Sequence, residues 1–266
     1  MKIDLQGISN ARDIGGIVTR YGTIAYGRLL RSGEHSRMTN NDRDTLVALG
    51  LSRVIDLRTD KEIANVPDRK IDGVAYTQIP IIAQTTFGIS YESSDGPTIA
   101  TYLQAGIERM RQRGETPEEH MCELYHRFAT NDFCKRNIRQ FIKTLADSPT
   151  KGATLWHCSA GKDRVGICTA TLLNCLGATR QQIVDDYLLT NTQTETSRAS
   201  IIAKVTPYVS VDKLNLVKQM LRVEPDYIGT FFDTVDELYG SMDGFVEQIG
   251  ITAQDVALLQ NEYLTK

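Results

Sequence analysis

Eight residues, HCSAGKDR at 157–164, restrict what this chain can fold into more than any other stretch. Before them runs ATLW, short and apolar, which reads as a buried strand. After them runs VGICTATLLNCLGA, which reads as an apolar helix ending near Gly177. A strand that turns through a glycine-bearing loop straight into a helix is the repeating unit of an α/β sheet. The loop then lies at the carboxyl end of the strand.

The chemistry of those eight residues narrows the reading. A thiolate is the nucleophilic form of cysteine, and a free thiol with a pKa near ~8.5 is only slightly ionised at neutral pH. A strand-to-helix loop answers this need. Its successive N–H groups and the partial positive charge of the helix N-terminus favour an anion, whether a thiolate or a bound phosphate. Cys158 is the predicted nucleophile. The backbone of Ser159, Ala160, Gly161, Lys162, Val165 and Gly166 is the predicted phosphate cradle. Gly161 supplies a positive φ, and Gly166 allows close approach of the helix. Arg164 offers a planar fork for two phosphate oxygens, and Lys162 a point charge for a strongly anionic substrate. Asp163 is placed to shuttle a proton or orient the loop. His157 reads as a loop-orienting residue. Together these are the parts of a covalent phosphatase: cysteine attacks phosphorus, a phosphocysteine forms, and water releases phosphate. The blander alternative, a buried core cysteine followed by a solvated turn, does not account for the strand, the glycines and the helix around the motif.

The rest of the chain supports a single α/β domain over residues 1–266. GRLLRSG and SRVIDLR read as short strands, and NNDRDTLVALG between them as a helix closed by Gly50. VAYTQIPII reads as a further strand. This rhythm predicts a central, mostly parallel twisted sheet flanked by helices. From about residue 97 to 149 the pattern is helical, with Thr116, Pro117 and Glu119 forming a capping box. Thr179 and Gln182 cap a later helix. Residues 192–222 carry Leu214, Val217 and Leu221 on one stripe, and fit either a helical lid or a helix packed on the core.

At this point a family resemblance stands out. HCSAGKDRVG closely resembles the signature loop of cysteine-dependent tyrosine phosphatases, in the bacterial branch that uses HCxAGKDRTG. NARDIGG (10–16) is similar to that branch's NFRDLGG, GRLLRSGEHSRMT to its RSG segment, and SRVIDLRTDKE to its DLR-x-x-x-E segment. The resemblance implies a tyrosine-phosphatase-like fold with a helical lid and no metal or other cofactor. It implies activity on phosphotyrosine, on phosphoserine or phosphothreonine, and in several members on phosphoinositides. Carried over by residue, it makes Cys158 the nucleophile and Arg164 the phosphate clamp. It makes Asp56 in VIDLR a candidate general acid, with an ion pair to a nearby arginine as the even alternative. Asp132 is the runner-up acid. Val66-Pro67-Asp68 is similar to the mobile acid loop of other branches but lies too early in the chain. Two positions depart from the pattern. Ala11 replaces a phenylalanine. Val165 replaces the usual threonine or serine, whose hydroxyl bonds the cysteine sulfur. That loss opens a second reading, a phosphate-binding module with little turnover.

Several classes are set aside. The net charge is -3, which gives no general attraction to nucleic acid or to a membrane surface. No stretch reaches the length of a membrane-spanning helix. The five cysteines form no CxxC pair and favour free thiols, hence a cytoplasmic setting. Cys122 and His126 stand four apart, but no second pair completes a zinc site. DIGGIV precedes no helix and is a poor dinucleotide loop. The expected partner is a phosphorylated protein or a phosphoinositide, met by a monomer.

Overall fold

The computed structural model describes residues 1–89 and 96–265. In chain order the first part holds β1 (Arg12–Asp13), β2 (Val18–Thr19), β3 (Gly22–Ile24), β4 (Leu29–Ser32), α1 (Asn40–Ala48), β5 (Leu51–Asp56), α2 (Asp60–Asn65) and β6 (Ala75–Gln78). Three helices follow: α3 (Gly96–Gln112), α4 (Pro117–Thr130) and α5 (Asp132–Asp147). The central strand β7 (Ala153–His157) comes next and leads into α6 (Asp163–Cys175). The remainder is α7 (Arg180–Gln193), α8 (Glu195–Val205), α9 (Val211–Met220), α10 (Pro225–Tyr239), α11 (Met242–Gln248), α12 (Ala253–Tyr263) and β8 (Leu264–Thr265).

The main sheet has the order β1-β4-β7-β5-β6. The pairs β4–β7, β7–β5 and β5–β6 are parallel, and only the edge strand β1 is antiparallel. Its three inner strands alternate between two buried faces. Leu29, Ile55 and Trp156 enter the large core shared with α3–α12, while Leu30, Val54 and Leu155 enter a smaller core with Ile3, Ile8 and Leu46. A strand buried on both sides has no polar alternation, which is why ATLW reads as a continuous apolar run. A second, small sheet, β2-β3-β8, was not foreseen; it ties the chain's two ends together. VAYTQIPII forms a strand only at residues 75–78, and beyond it Ile79 and Ile81 still donate to the Asp56 and Leu57 carbonyls.

The local signals hold where capping decides them. Thr116 and Glu119 complete a capping box with Pro117 in the first turn, and Thr179 does the same with Gln182. Gly50 follows α1 with φ +71°, a conformation glycine adopts without strain. What matters for function is the register. Ser32 and Asp56 both lie opposite His157, so the carboxyl ends of β4, β5 and β7 deliver residues 33, 57 and 158 to one edge.

Candidate active site

Residues 158–162 leave β7, pass over the end of β4 and enter α6. Gly161 has φ +66°, and a Cβ there would stand 2.4 Å from the Ser32 carbonyl oxygen. Only glycine fits that crossing. Gly166 lies against the Tyr187 ring, where a Cβ would come within 3.1 Å.

The loop's backbone polar groups divide into two sets. Its carbonyls are taken from outside. The Ser159 oxygen accepts from the Glu34 N–H, and that of Lys162 from the Gly166 N–H. The Ala160 oxygen accepts from Asn10 Nδ2 at 3.2 Å. The Gly161 oxygen accepts from Asn10 Nδ2 at 2.7 Å and from Arg31 Nη2 at 3.0 Å. The N–H groups from Ser159 to Val165 donate to no acceptor among the described residues. Because a peptide unit is planar, a carbonyl held outward turns the following N–H inward. The result is a ring of donors with Cys158 at its start, built to hold an anion.

Arg164 is fully buried and held flat by Glu62: Nη1 donates to Oε2 at 2.7 Å and Nη2 to Oε1 at 2.8 Å. Nη2 also reaches Ser159 Oγ at 3.1 Å. Arg164 Nε is buried with no acceptor among the described residues, so one donor is left for a ligand. Burial disfavours the charged Glu62. The Arg164 charge, its hydrogen bonds and those of Thr59 and Ser159 outweigh burial and hold the carboxyl at about 2. Arg164 is itself pushed upward: burial opposes its charge, but Cys158 and Glu62 overrule it.

Asp163 opens α6 and is buried. Its Oδ1 accepts from the Tyr125 hydroxyl at 2.9 Å, and that hydroxyl lies 2.6 Å from the Tyr187 hydroxyl. Burial raises its pKa against the opposing pull of Lys162 and Tyr125. Lys162 departs from expectation. Its ammonium is buried and donates to the Met220 carbonyl at 2.7 Å, at the end of α9, with Asp163 Oδ2 at 3.6 Å. The lysine thus ties the loop to the helices above it. A cation beside the last carbonyls of a helix is favoured by the helix dipole, which explains this choice of partner.

Asp56 is engaged as the sequence alternative had it. Its carboxylate takes the Arg58 backbone N–H at 2.9 Å and Arg58 Nη2 at 2.7 Å. Arg58 Nη2 also donates to Asp68 at 2.6 Å. His157 Nε2 faces Asp68 at 3.2 Å and Asp56 at 3.9 Å. Burial works against charge on His157, but Asp56 and Asp68 raise its pKa. His35 stacks on it at 4.5 Å and is forced the other way, to about 3, by burial and then by the His157 charge. Asp56, Asp68 and His157 present ligand atoms within 4.8 Å of one another, but Arg58 already answers both carboxylates. Asp132 lies outside the site, exposed at the start of α5 and paired with Lys135. Cys122 and His126 contact α10 separately, through the Asp226 carbonyl and Thr234. Val165 is fully buried in the core that also holds Cys158.

Helices α8 and α9 occupy the stretch 192–222 and pack on α3 and α4. Helix α8, Leu221 and the N-terminal segment border a cleft of 490 Å³ whose lining includes Ser159, Ala160 and Lys162. A groove of 710 Å³ at Asn174 and Cys175 lies at the far end of α6, about 18 Å from the loop at 1.5 Å per residue. Asn10, Arg31 and Glu62 received no role from sequence. Their signal was present, because each lies in a stretch that resembles the family outside the loop.

Residues 3–265 match the model of the tyrosine phosphatase family. The chain belongs to that family. It is 30% identical over 270 residues to the triple specificity protein phosphatase PtpB of Mycobacterium tuberculosis, covering 95% of each chain. It is 27% identical to a Cupriavidus necator protein named as a tyrosine-protein phosphatase, over 97% of this chain and 86% of that one. The crystal structure of TpbA from P. aeruginosa shares 16% identity over 73% of this chain and 89% of its own, with a TM-score of 0.30. The phosphatase is therefore an enzyme of the protein-tyrosine phosphatase class, and the sheet, loop and flanking helices above are its scaffold. No helix among the described residues is long and apolar enough to cross a membrane.

Proposed function

We propose that this phosphatase hydrolyses phosphotyrosine, together with phosphoserine or phosphothreonine and phosphoinositides, through a phosphocysteine on Cys158. The observation that carries this reading is the loop: seven N–H groups without acceptors among the described residues, a cysteine at its start and a braced arginine with an unused Nε. The Cys158 thiolate attacks phosphorus, an S–P bond forms, and the P–O bond to the leaving group breaks. The leaving oxygen takes a proton from Asp163. Water then attacks phosphorus, returns a proton to Asp163 and frees phosphate and thiolate. The donor ring and Arg164 bind the equatorial oxygens, where charge accumulates in the transition state. The breadth of substrate follows the name of the PtpB relative and the cation-lined cleft, which includes Arg37 and Arg198. Cys158 is 2% exposed at the start of the loop, and Lys162 ties that loop to the Met220 carbonyl at the end of α9.

Val165 favours a slow second step. A valine has no hydroxyl to donate to the sulfur as phosphate leaves, so the intermediate accumulates. Rapid mixing with an aryl phosphate should release a burst of phenol stoichiometric with enzyme, and a denaturing quench should recover phosphate on the peptide containing Cys158. Release without a burst, together with a phosphate-free Cys158 peptide, would sink the covalent reading.

Asp163 is favoured over Asp56 as the acid. Burial raises the Asp163 pKa against the pull of Lys162 and Tyr125, the direction an acid needs, whereas Asp56 is committed to Arg58. Asp163→Asn should slow hydrolysis of poor leaving groups by ~10²-fold, within the usual range for proton transfer, and change an activated nitrophenyl ester far less. Equal losses on both esters would assign Asp163 to loop structure alone.

A further inference from the structure

Beneath the loop lies a second buried polar group that the chemistry above does not use. Asn10 has φ +59°, the one positive value at a non-glycine residue among those described, and it is 2% exposed. Asparagine tolerates that conformation better than most residues. There its amide reaches both the Ala160 and Gly161 carbonyls, and its Oδ1 accepts from Arg12 Nη1. Arg12 Nε donates to Asp186 Oδ1 at 2.9 Å. Arg31 Nη1 donates to Asp186 Oδ2, and its Nη2 donates to Gly161. The chain of contacts runs from α7, through two arginines and one asparagine, into the phosphate loop.

The charges in this group do not cancel. Two guanidiniums share one carboxylate, with side chains 2%, 0% and 7% exposed. One positive charge is left in the interior, and such a charge is costly unless an anion answers it. Arg31 is within electrostatic reach of Cys158, and its Nε has no acceptor among the described residues. Burial and the neighbouring Arg12 lower its pKa to about 10, against the pull of Asp186 and Cys158. An anion in the loop would answer that charge, either a thiolate on Cys158 or a bound phosphate.

We propose that Asn10 and Arg31 are positioning residues of the phosphate loop, Asn10 by holding the Ala160 and Gly161 carbonyls outward and Arg31 by adding a second positive charge beneath Cys158. The proposal rests on Cys158 as the nucleophile. Outward carbonyls at 160 and 161 aim the N–H groups of Gly161 and Lys162 at the anion. Arg31 then differs from Arg164 in kind: it braces the loop and its charge without gripping the substrate.

The test uses the full chain with Asn10→Ala, Arg31→Lys and Arg31→Met. Two quantities are read: the inhibition constant of inorganic phosphate, and the rate of Cys158 alkylation by iodoacetamide at pH 5.5 relative to pH 9.5. Asn10→Ala should weaken phosphate about tenfold, as expected for one or two hydrogen bonds. It should also lower the alkylation ratio, because without aligned donors less of the thiol ionises at pH 5.5, whereas at pH 9.5 it ionises with or without them. Arg31→Met should lower the ratio further. Arg31→Lys should recover the ratio but not the phosphate constant, since an ammonium keeps the charge without the two-armed contact. If Asn10→Ala lowers thermal stability but leaves both quantities at the wild-type value, Asn10 serves the fold alone and the proposal is wrong. That variant decides the matter even if the arginine variants fail to fold. Wild-type alkylation at a cysteine other than Cys158 would overturn the underlying reading instead.

Discussion

Cys158→Ser should remove at least ~10³-fold of the turnover on every phosphomonoester while leaving phosphate binding intact or tighter. The two side chains are nearly the same shape, so the loop, the donor ring and the Arg164–Glu62 fork keep their geometry. What changes is the nucleophile. A serine hydroxyl holds its proton at neutral pH, and no histidine stands ready to remove it, since His157 is occupied with Asp68 and Asp56. A serine also carries no negative charge to oppose an incoming phosphate. Arg31 and Arg164 are then left to the ligand. The expected result is an inactive protein that retains phosphorylated substrates, read by steady-state assay and by calorimetry with a phosphotyrosine peptide. Residual activity within tenfold of wild type would exclude Cys158 as nucleophile.

Glu62→Ala should lower both stability and rate. The carboxylate meets Arg164 with two hydrogen bonds, caps α2 through the Thr59 N–H and accepts from Ser159 Oγ. Removing it leaves a buried guanidinium without its partner, a change that costs about 3–5 kcal/mol in comparable buried pairs. It also frees the arginine to rotate, and misplacing a clamp by about 1 Å costs on the order of 10²-fold in rate. Glu62→Gln, which keeps the shape and the cap, should fall between. The pH dependence has a definite sign. Glu62 and Asp186 are both held at about 2, below the ordinary carboxylate range. Their contribution is fully present above that range, near pH ~4, and is lost as pH falls toward about 2. The urea midpoint of the wild type should therefore drop steeply below pH 4, and that of Glu62→Ala more gently. Parallel slopes would show that the pair does not carry the acid sensitivity.

How much of this was legible in the sequence depended on how local the cause was. Cys158, Gly161, Asp163 and Arg164 occupy one turn, and the spacing of strand, loop and helix fixes their relative placement. Capping boxes at Thr116 and Thr179 are equally local. The Lys162 contact was not legible because its partner, the Met220 carbonyl, lies 58 residues away and belongs to a helix whose position no spacing reveals. Asp132 was a candidate by sequence offset alone, and offset does not say where the start of α5 lies relative to the loop. Asp56 shows the intermediate case: the competing arginine two residues on was visible, but only the turn after β5 brings Arg58 back onto its carboxylate.

By itself, the sequence determined the candidate loop: a cysteine and an arginine between a buried strand and an apolar helix, where short-range backbone geometry turns successive N–H groups the same way. Tertiary structure decided who braces that turn. Asn10 precedes β1, Arg31 lies in β4, Glu62 in α2 and Asp186 in α7, and only the packing of these segments gathers them around the loop. The physical reason is that donors and charges within one turn are set by covalent connection. Those that orient them are set by packing, and packing is a property of the whole sheet.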